Sequence, residues 1–237
     1  MPNRRTKAIA FALLLVVSSG AAHKARAQAE KAPYPAMHSL DRYLMPDDNS
    51  EIALARSAAP ASISAAAEVM VLGRNGYTTA VKGNDGFLCL VERSWGAATD
   101  TPEFWNPKVR APICFNAAAA KTFVPIFLMK TKLVLAGKSK GEILAATASA
   151  LDKKELPALA PGAMCYMMSK QQYLNDVGRS WHPHLMFLVP GDVAGSWGAN
   201  LPESPVIAAN DPEEGATIFM VWVAKWSDGT PSPMIEH

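Results

Sequence analysis

The sequence predicts an α+β fold: an antiparallel sheet, made of an N-terminal three-strand meander and further C-terminal strands, covered by two or three helices. Three observations carry this reading. β-rich runs crowd between Glu68 and Val91, separated by Asn-Gly and Asp-Gly turns. Helical periodicity is confined to the middle of the chain, from Ala117 to Leu151. Strand-like runs return after Ala163, and strands segregated from helices mark α+β, whereas a doubly wound sheet would alternate the two. No unit of roughly 20–50 residues repeats, which excludes solenoids and propellers.

The chain opens with Arg4, Arg5 and Lys7, then the apolar run Ala8 to Val17, then Ala25-Arg26-Ala27, the small-x-small pattern that signal peptidase cuts. The run is shorter than the ~20 residues a membrane span needs, and no Cys lies near the cut to carry a lipid. Residues 1–27 are therefore expected to be a signal peptide, and the product periplasmic or secreted, with no integral membrane segment after cleavage. Through residues 28–50, Pro33, Pro35, Pro46 and the Asp47-Asp48 pair break any periodicity. That stretch is expected to be an irregular arm, followed by a single α+β domain over 51–237.

Within the domain, Ser50 is placed to cap a short helix over Glu51 to Arg56, ended by Pro60. Glu68 to Leu72, Tyr77 to Val81 and Phe87 to Val91 form the expected meander, turning at Arg74-Asn75-Gly76 and Asn84-Asp85-Gly86. Thr101 to Pro107 and Ala111-Pro112 read as an ordered loop, because Phe104 and Trp105 need burial. Asn116 caps a helix starting at Ala117, Pro125 kinks it or ends its first segment, and Gly137 stops it. Ser139 and Glu142 stand at capping-box spacing ahead of Ile143, Leu144, Thr147 and Leu151, with Pro157 beyond. These two helices are expected on one face of the sheet. Later strands are expected at Ala163 to Met168, His184 to Val189, Ser204 to Ala208 and Thr217 to Ala224, with a short helix capped by Asp192 before Trp197.

The chain carries 23 Lys and Arg against 21 Asp and Glu. Arg4, Arg5, Lys7, Lys24 and Arg26 all fall within the expected signal, and no acid does, so the processed chain is mildly acidic, about −3. Such a surface, without a block of Lys or Arg, argues against nucleic acid or anionic membrane as partner. A small-molecule ligand or an envelope protein is expected instead, and no cofactor is legible. In an oxidising compartment, Cys89 in its apolar run and Cys114 beyond the proline-bounded loop are expected to pair, leaving Cys165 a free thiol. The absence of Cys-x-x-Cys argues against a thioredoxin-like role.

The sharpest chemical feature is Trp181-His182-Pro183-His184, leading into the apolar run Leu185 to Val189. In extended backbone, residues two apart point to one side, so His182 and His184 are candidate ligand-binding or metal-ligating residues, with Trp181 and Tyr166 beside them. Met164, Met167, Met168 and Met186 lie in adjacent candidate strands, and thioether with imidazole suits copper. Cys165 beside either histidine would be a nucleophile pair, though an apolar run raises a thiol pKa. Trp95, Trp105, Trp181 and Trp197 fall at expected loops or element ends, where they either rim a pocket or close the core. Catalytic signatures fail: Gly195-Ser196-Trp197-Gly198 lacks the nucleophile-elbow spacing, Tyr166 and Lys170 follow no dinucleotide fingerprint, and Asp228-Gly229-Thr230 has Trp226 where a second Asp would stand. The expected function is therefore non-catalytic binding of a small molecule or partner in the cell envelope. The alternatives are a metal-binding or enzymatic protein centred on His182 and His184, or an assembly subunit that docks through its arm.

Exported protein is expected to begin near Gln28 on N-terminal sequencing; material that retains Met1 refutes the cleavage.

Overall fold

The computed structural model describes residues 33–96 and 102–233. The expected signal peptide lies outside these residues. Eight strands form one sheet: β1 (Glu68–Gly73), β2 (Gly76–Val81), β3 (Leu88–Glu92), β4 (Ala111–Phe115), β5 (Met164–Met167), β6 (His184–Pro190), β7 (Val206–Asp211) and β8 (Ala216–Trp222). Their order is β2-β1-β3-β4-β5-β6-β8-β7. Five helices accompany them among the described residues: α1 (Asp48–Arg56), α2 (Ala61–Ser64), α3 (Ala117–Thr122), α4 (Val124–Leu135) and α5 (Lys140–Asp152). The fold is α+β, but the sheet is mixed, because β1 and β3 run parallel while the other neighbours are antiparallel.

That parallel pair corrects the expected meander. β2 folds back on β1 as predicted, but β3 passes the start of β1 and pairs on its far side, Glu68 with Leu88 and Val69 with Cys89. Burial explains the choice. β2 exposes Thr78, Thr79 and Ala80, whereas Cys89, Leu90 and Val91 are buried on both faces. A continuous apolar strand belongs inside a sheet and a threonine-rich one at its edge; a meander would have reversed them. The crossing brings two stretches of backbone together. The Asn84 N–H donates to the Ala66 carbonyl (3.0 Å) and the Glu68 N–H to the Phe87 carbonyl (2.9 Å). A Cβ on Gly83 would lie 2.1 Å from the Glu68 nitrogen, so only glycine lets the chain through.

Strand β4 begins at Ala111-Pro112, where an ordered loop was expected. Pro112 hid it, since proline removes a ladder donor. Pro112 stands opposite Val91 and two residues before Cys114, so it shares the orientation of Cys114 toward β3. Cys89 and Cys114 face each other with Cα atoms 4.0 Å apart and are bridged by a disulfide. Such close approach marks a non-hydrogen-bonded pair, so Pro112 turns its missing donor away from β3, toward β5. There β5 pairs only with Cys114 and Phe115, and no ladder bond is lost. Cys165 is the free, buried thiol.

Alternate residues of β3 and β4 divide between two cores. Leu90, Ile113 and Phe115 pack with Phe123, Ile126, Phe127, Val134 and Ile143 of the α3–α5 region. Cys89, Val91 and Cys114 pack with Leu54, Ala55 and Ala58, in and just after α1. Helix ends follow the predicted chemistry in part. Asn116 accepts from the Ala119 N–H, Pro125 sits in the first turn of α4, and Ser139 and Glu142 form a full capping box. α1, however, starts earlier than expected, because Asp47 accepts from the Ser50 N–H (2.8 Å) and is itself the cap. The turn at Ala194–Trp197 is a single 3-10 turn without a side-chain cap, so Asp192 does not cap it.

From Pro33 onward the expected arm is folded against the domain. Tyr43 is fully buried, donates its hydroxyl to the Trp105 carbonyl (2.8 Å) and packs on Trp95. Arg93 Nε donates to the Tyr43 carbonyl (2.6 Å), and Arg110 Nη2 donates to the carbonyls of Arg42 and Leu44. Tyr34 donates its hydroxyl to Asp176. Side chains reaching backbone carbonyls leave no periodic trace, which is why the segment reads as irregular. Among the described residues no helix is long and apolar enough to cross a membrane.

Gly83→Ala is expected to destabilise the domain by about 2–3 kcal/mol in urea unfolding, the scale of a steric insertion that displaces backbone. Gly73→Ala, whose Cβ would meet nothing closer than 3.8 Å, is the control and should change stability by less than about 1 kcal/mol.

Candidate functional site

Strands β4, β5, β6 and β8 present Ala111, Ile113, Met167, Met186, Leu188 and Ile218 to a cavity of about 230 Å³. Phe123, at the junction of α3 and α4, joins this apolar lining. The polar part of the wall comes from Glu92 and Arg93 at the end of β3 and from Asp211 and Glu214 at the β7–β8 turn. β3 and β7 stand five steps apart in the sheet, roughly 24 Å if it were flat. One small cavity touches both, so the sheet must curl strongly to bring its far turn over the end of β3.

A buried ion pair holds that closure. Lys130 of α4 has no exposed surface and its Nζ is paired with the Glu214 carboxylate. Helical spacing puts Lys130 on the same face as Ile126, Phe127 and Val134, all buried. Asp211 Oδ1 accepts from the Glu214 N–H (3.0 Å), fixing the turn from below. Arg93 is already spent elsewhere: its guanidinium serves the Tyr43 and Val91 carbonyls and the Glu51 carboxylate (2.9 Å). Among the described residues the cavity wall therefore sets three carboxyl groups, Glu92, Asp211 and Glu214, against one available cation, Lys130, which reaches the wall through Glu214.

The carboxyl groups respond accordingly. Burial pushes Glu92 up to about 8, the charge of Glu214 adds to this, and Lys130 partly offsets it. Burial also raises Glu214 and Asp211, again against the pull of Lys130. Glu92 is half-buried and is one of the residues that line the cavity. Among the described residues its carboxyl has no hydrogen-bond partner and no ion pair. At neutral pH Glu92 therefore holds its proton.

The residues singled out from sequence lie elsewhere. His184 is buried, and its Nδ1 is 2.7 Å from the His182 carbonyl, so Nδ1 carries the proton as donor. Burial lowers its pKa, keeping the ring neutral. Trp181 packs edge-on against His184 (4.7 Å) and against Trp222 (5.9 Å), and His182 lies 5.4 Å from Trp222. Trp181, His182 and His184 are thus brought together, but in a packed aromatic cluster outside the cavity lining. Tyr166 is not with them. It pairs across the sheet with Leu185, the neighbour of His184, so the two side chains leave opposite faces, and Tyr166 meets Phe87 instead. Among the described residues no group of three or more His, Cys, Asp or Glu is arranged to hold a metal ion. Burial pushes the Cys165 thiol well above its ordinary value, against a nucleophilic role.

Of the four methionines, Met167 and Met186 line the cavity. Trp95 and Trp105 close the core, Trp197 stacks on Phe219, and Trp222 edges a second groove of about 580 Å³ beside Glu203 and Ile207. Glu92, Lys130, Asp211 and Glu214 were missed. A signal existed for Lys130, a lone cation at the buried spacing of an apolar helix, and for Glu92-Arg93, charges closing an apolar strand. Comparison of the chain with protein-family models, curated protein sequences and solved structures returns no match.

The raised carboxyls make stability depend on pH. Between pH 6.5 and 8 the unfolded chain has released the Glu92 proton and the folded one keeps it, so stability falls as pH rises, by at most about 1.4 kcal/mol per unit from this group. His184, lowered on folding, acts below its ordinary value of 6.5 and does not enter that window. Urea titrations should show the decline for the native chain, and Glu92→Gln should flatten it; an unchanged slope in the variant refutes the assignment.

Proposed function

We propose that the protein binds a small, largely apolar molecule in the cavity above β4, β5, β6 and β8, and does so without catalysis. The observation that carries this reading is the cavity itself, an apolar chamber of about 230 Å³ with buried carboxyl groups gathered at one part of its wall. Ligand sites have this composition: an apolar lining and a few placed polar groups that orient the guest. A cavity of about 150 Å³ accommodates a benzene ring, so this one suits an aromatic ring with a short side chain. The packing contacts forfeited around such a volume amount to a few kcal/mol, at about 24 cal/mol per Å³, and a ligand restores them. A non-catalytic role is favoured because the only free cysteine is buried with a raised thiol and both candidate histidines lie outside the lining.

The reading belongs to an exported protein. A basic start, an apolar run and Ala25-Arg26-Ala27 support cleavage, and the Cys89–Cys114 bridge suits an oxidising compartment.

Titration with 2-phenylethanol, followed by methyl NMR, tests the site. The expected result is shifts centred on Ile113, Met186, Leu188 and Ile218, with a melting temperature raised by roughly 4 °C at ten times Kd. No binding, or shifts confined to surface methyls, refutes it.

A further inference from the structure

The polar part of the cavity is unbalanced in a way that defines a ligand head group. Glu92, Asp211 and Glu214 line it, and among the described residues Lys130 is the one uncommitted cation that answers them, through Glu214. Arg93 also lines it but is committed to Glu51 and to the carbonyls of Tyr43 and Val91. Glu92 has neither a donor nor a cation of its own among the described residues. The geometry points to a ligand bearing a protonated amine, its ammonium lodged beside Glu92, Asp211 and Glu214 and its apolar body against Met167, Met186 and Ile218.

This rests on the small-molecule reading above and narrows it to a chemical class. An ammonium offers three donors and no acceptor, matching a wall that offers carboxyl acceptors and, among the described residues, no second uncommitted cation. A carboxylate head would face three groups of its own sign or proton demand.

Binding then exchanges one cation for another. As the ammonium arrives, Glu92 releases its proton to solvent and becomes the carboxylate that pairs with it. One positive charge enters, one leaves, and no covalent bond of the ligand changes. The groups facing Glu92 are Glu214 from the β7–β8 turn and Lys130 from α4, with Tyr77 of β2 and Cys165 of β5 within electrostatic reach and Arg93 next in chain. Glu92 is held near 8, so amine affinity should rise with pH between 6 and 8, by at most about tenfold per unit for one linked proton.

Calorimetry of the full chain with 2-phenylethylamine and its neutral counterpart 2-phenylethanol separates the two claims. At pH 7, in two buffers of different ionisation enthalpy, the amine should bind at least about tenfold more tightly and release close to one proton, while the alcohol releases none. In Glu92→Gln, which keeps the size and neutrality of the protonated acid, proton release should vanish and the ratio of amine to alcohol affinity at pH 8 fall about tenfold. Equal binding of amine and alcohol without proton release overturns the head-group assignment and leaves the cavity reading intact. Amine preference that survives intact in Glu92→Gln overturns the role given to Glu92. Failure of both compounds to bind removes the cavity reading, and this inference with it.

Discussion

A lysine enclosed in an apolar helix sets the constraint that the interior is built around. Lys130 projects from α4 with no exposed surface, between turns that carry Phe127 and Val134 into the core. Removing an ammonium from water costs several kcal/mol unless a counter-charge meets it. Its partner, Glu214, comes from a turn at the far side of the sheet. The pairing requires that turn to lie over α4, which the sheet permits only by curling. The curl in turn carries Asp211 and Glu214 over the end of β3 and encloses the cavity.

A second buried pair, Arg93 with Glu51, works from the neighbouring position on β3. Glu51 Oε1 accepts from both the Arg93 guanidinium and the Leu72 N–H (3.1 Å), tying α1 to β1 and β3 at one atom. The remaining guanidinium donors hold the chain at Tyr43, so the N-terminal segment closes the core beneath Trp95. With Arg93 fully engaged, adjacent Glu92 has no ion pair among the described residues. Burial, and after it the charge of Glu214, raises its pKa, with Lys130 partly offsetting both.

Spacing brings the histidine pair together but does not place it in the cavity lining. Residues two apart in extended chain do share a side, yet His182 precedes the strand and contributes its carbonyl to His184. The two imidazoles therefore sit at the mouth of β6 among tryptophans, outside the cavity lining. His184 shares a strand face with Met186, two residues along, and Met186 lines the cavity. The sequence reading stopped one turn of the pleat short.

What the chain determines locally was legible. Asn116 and the Ser139–Glu142 box mark helix starts, Asn75-Gly76 marks the β1–β2 turn, and Cys89 and Cys114 were separable from Cys165. Each rests on contacts within a few residues or on a compartment-wide preference. Tertiary structure decided the rest. Whether β3 lies beside β2 or β1 depends on competing burial of whole strands and on a gap at Gly83 that only glycine fits. Pro112 can occupy a strand because β5 is too short to reach it, which no local pattern encodes. Glu92, Lys130, Asp211 and Glu214 are scattered along the sequence, and their electrostatics exist only once the curled sheet removes them from water together.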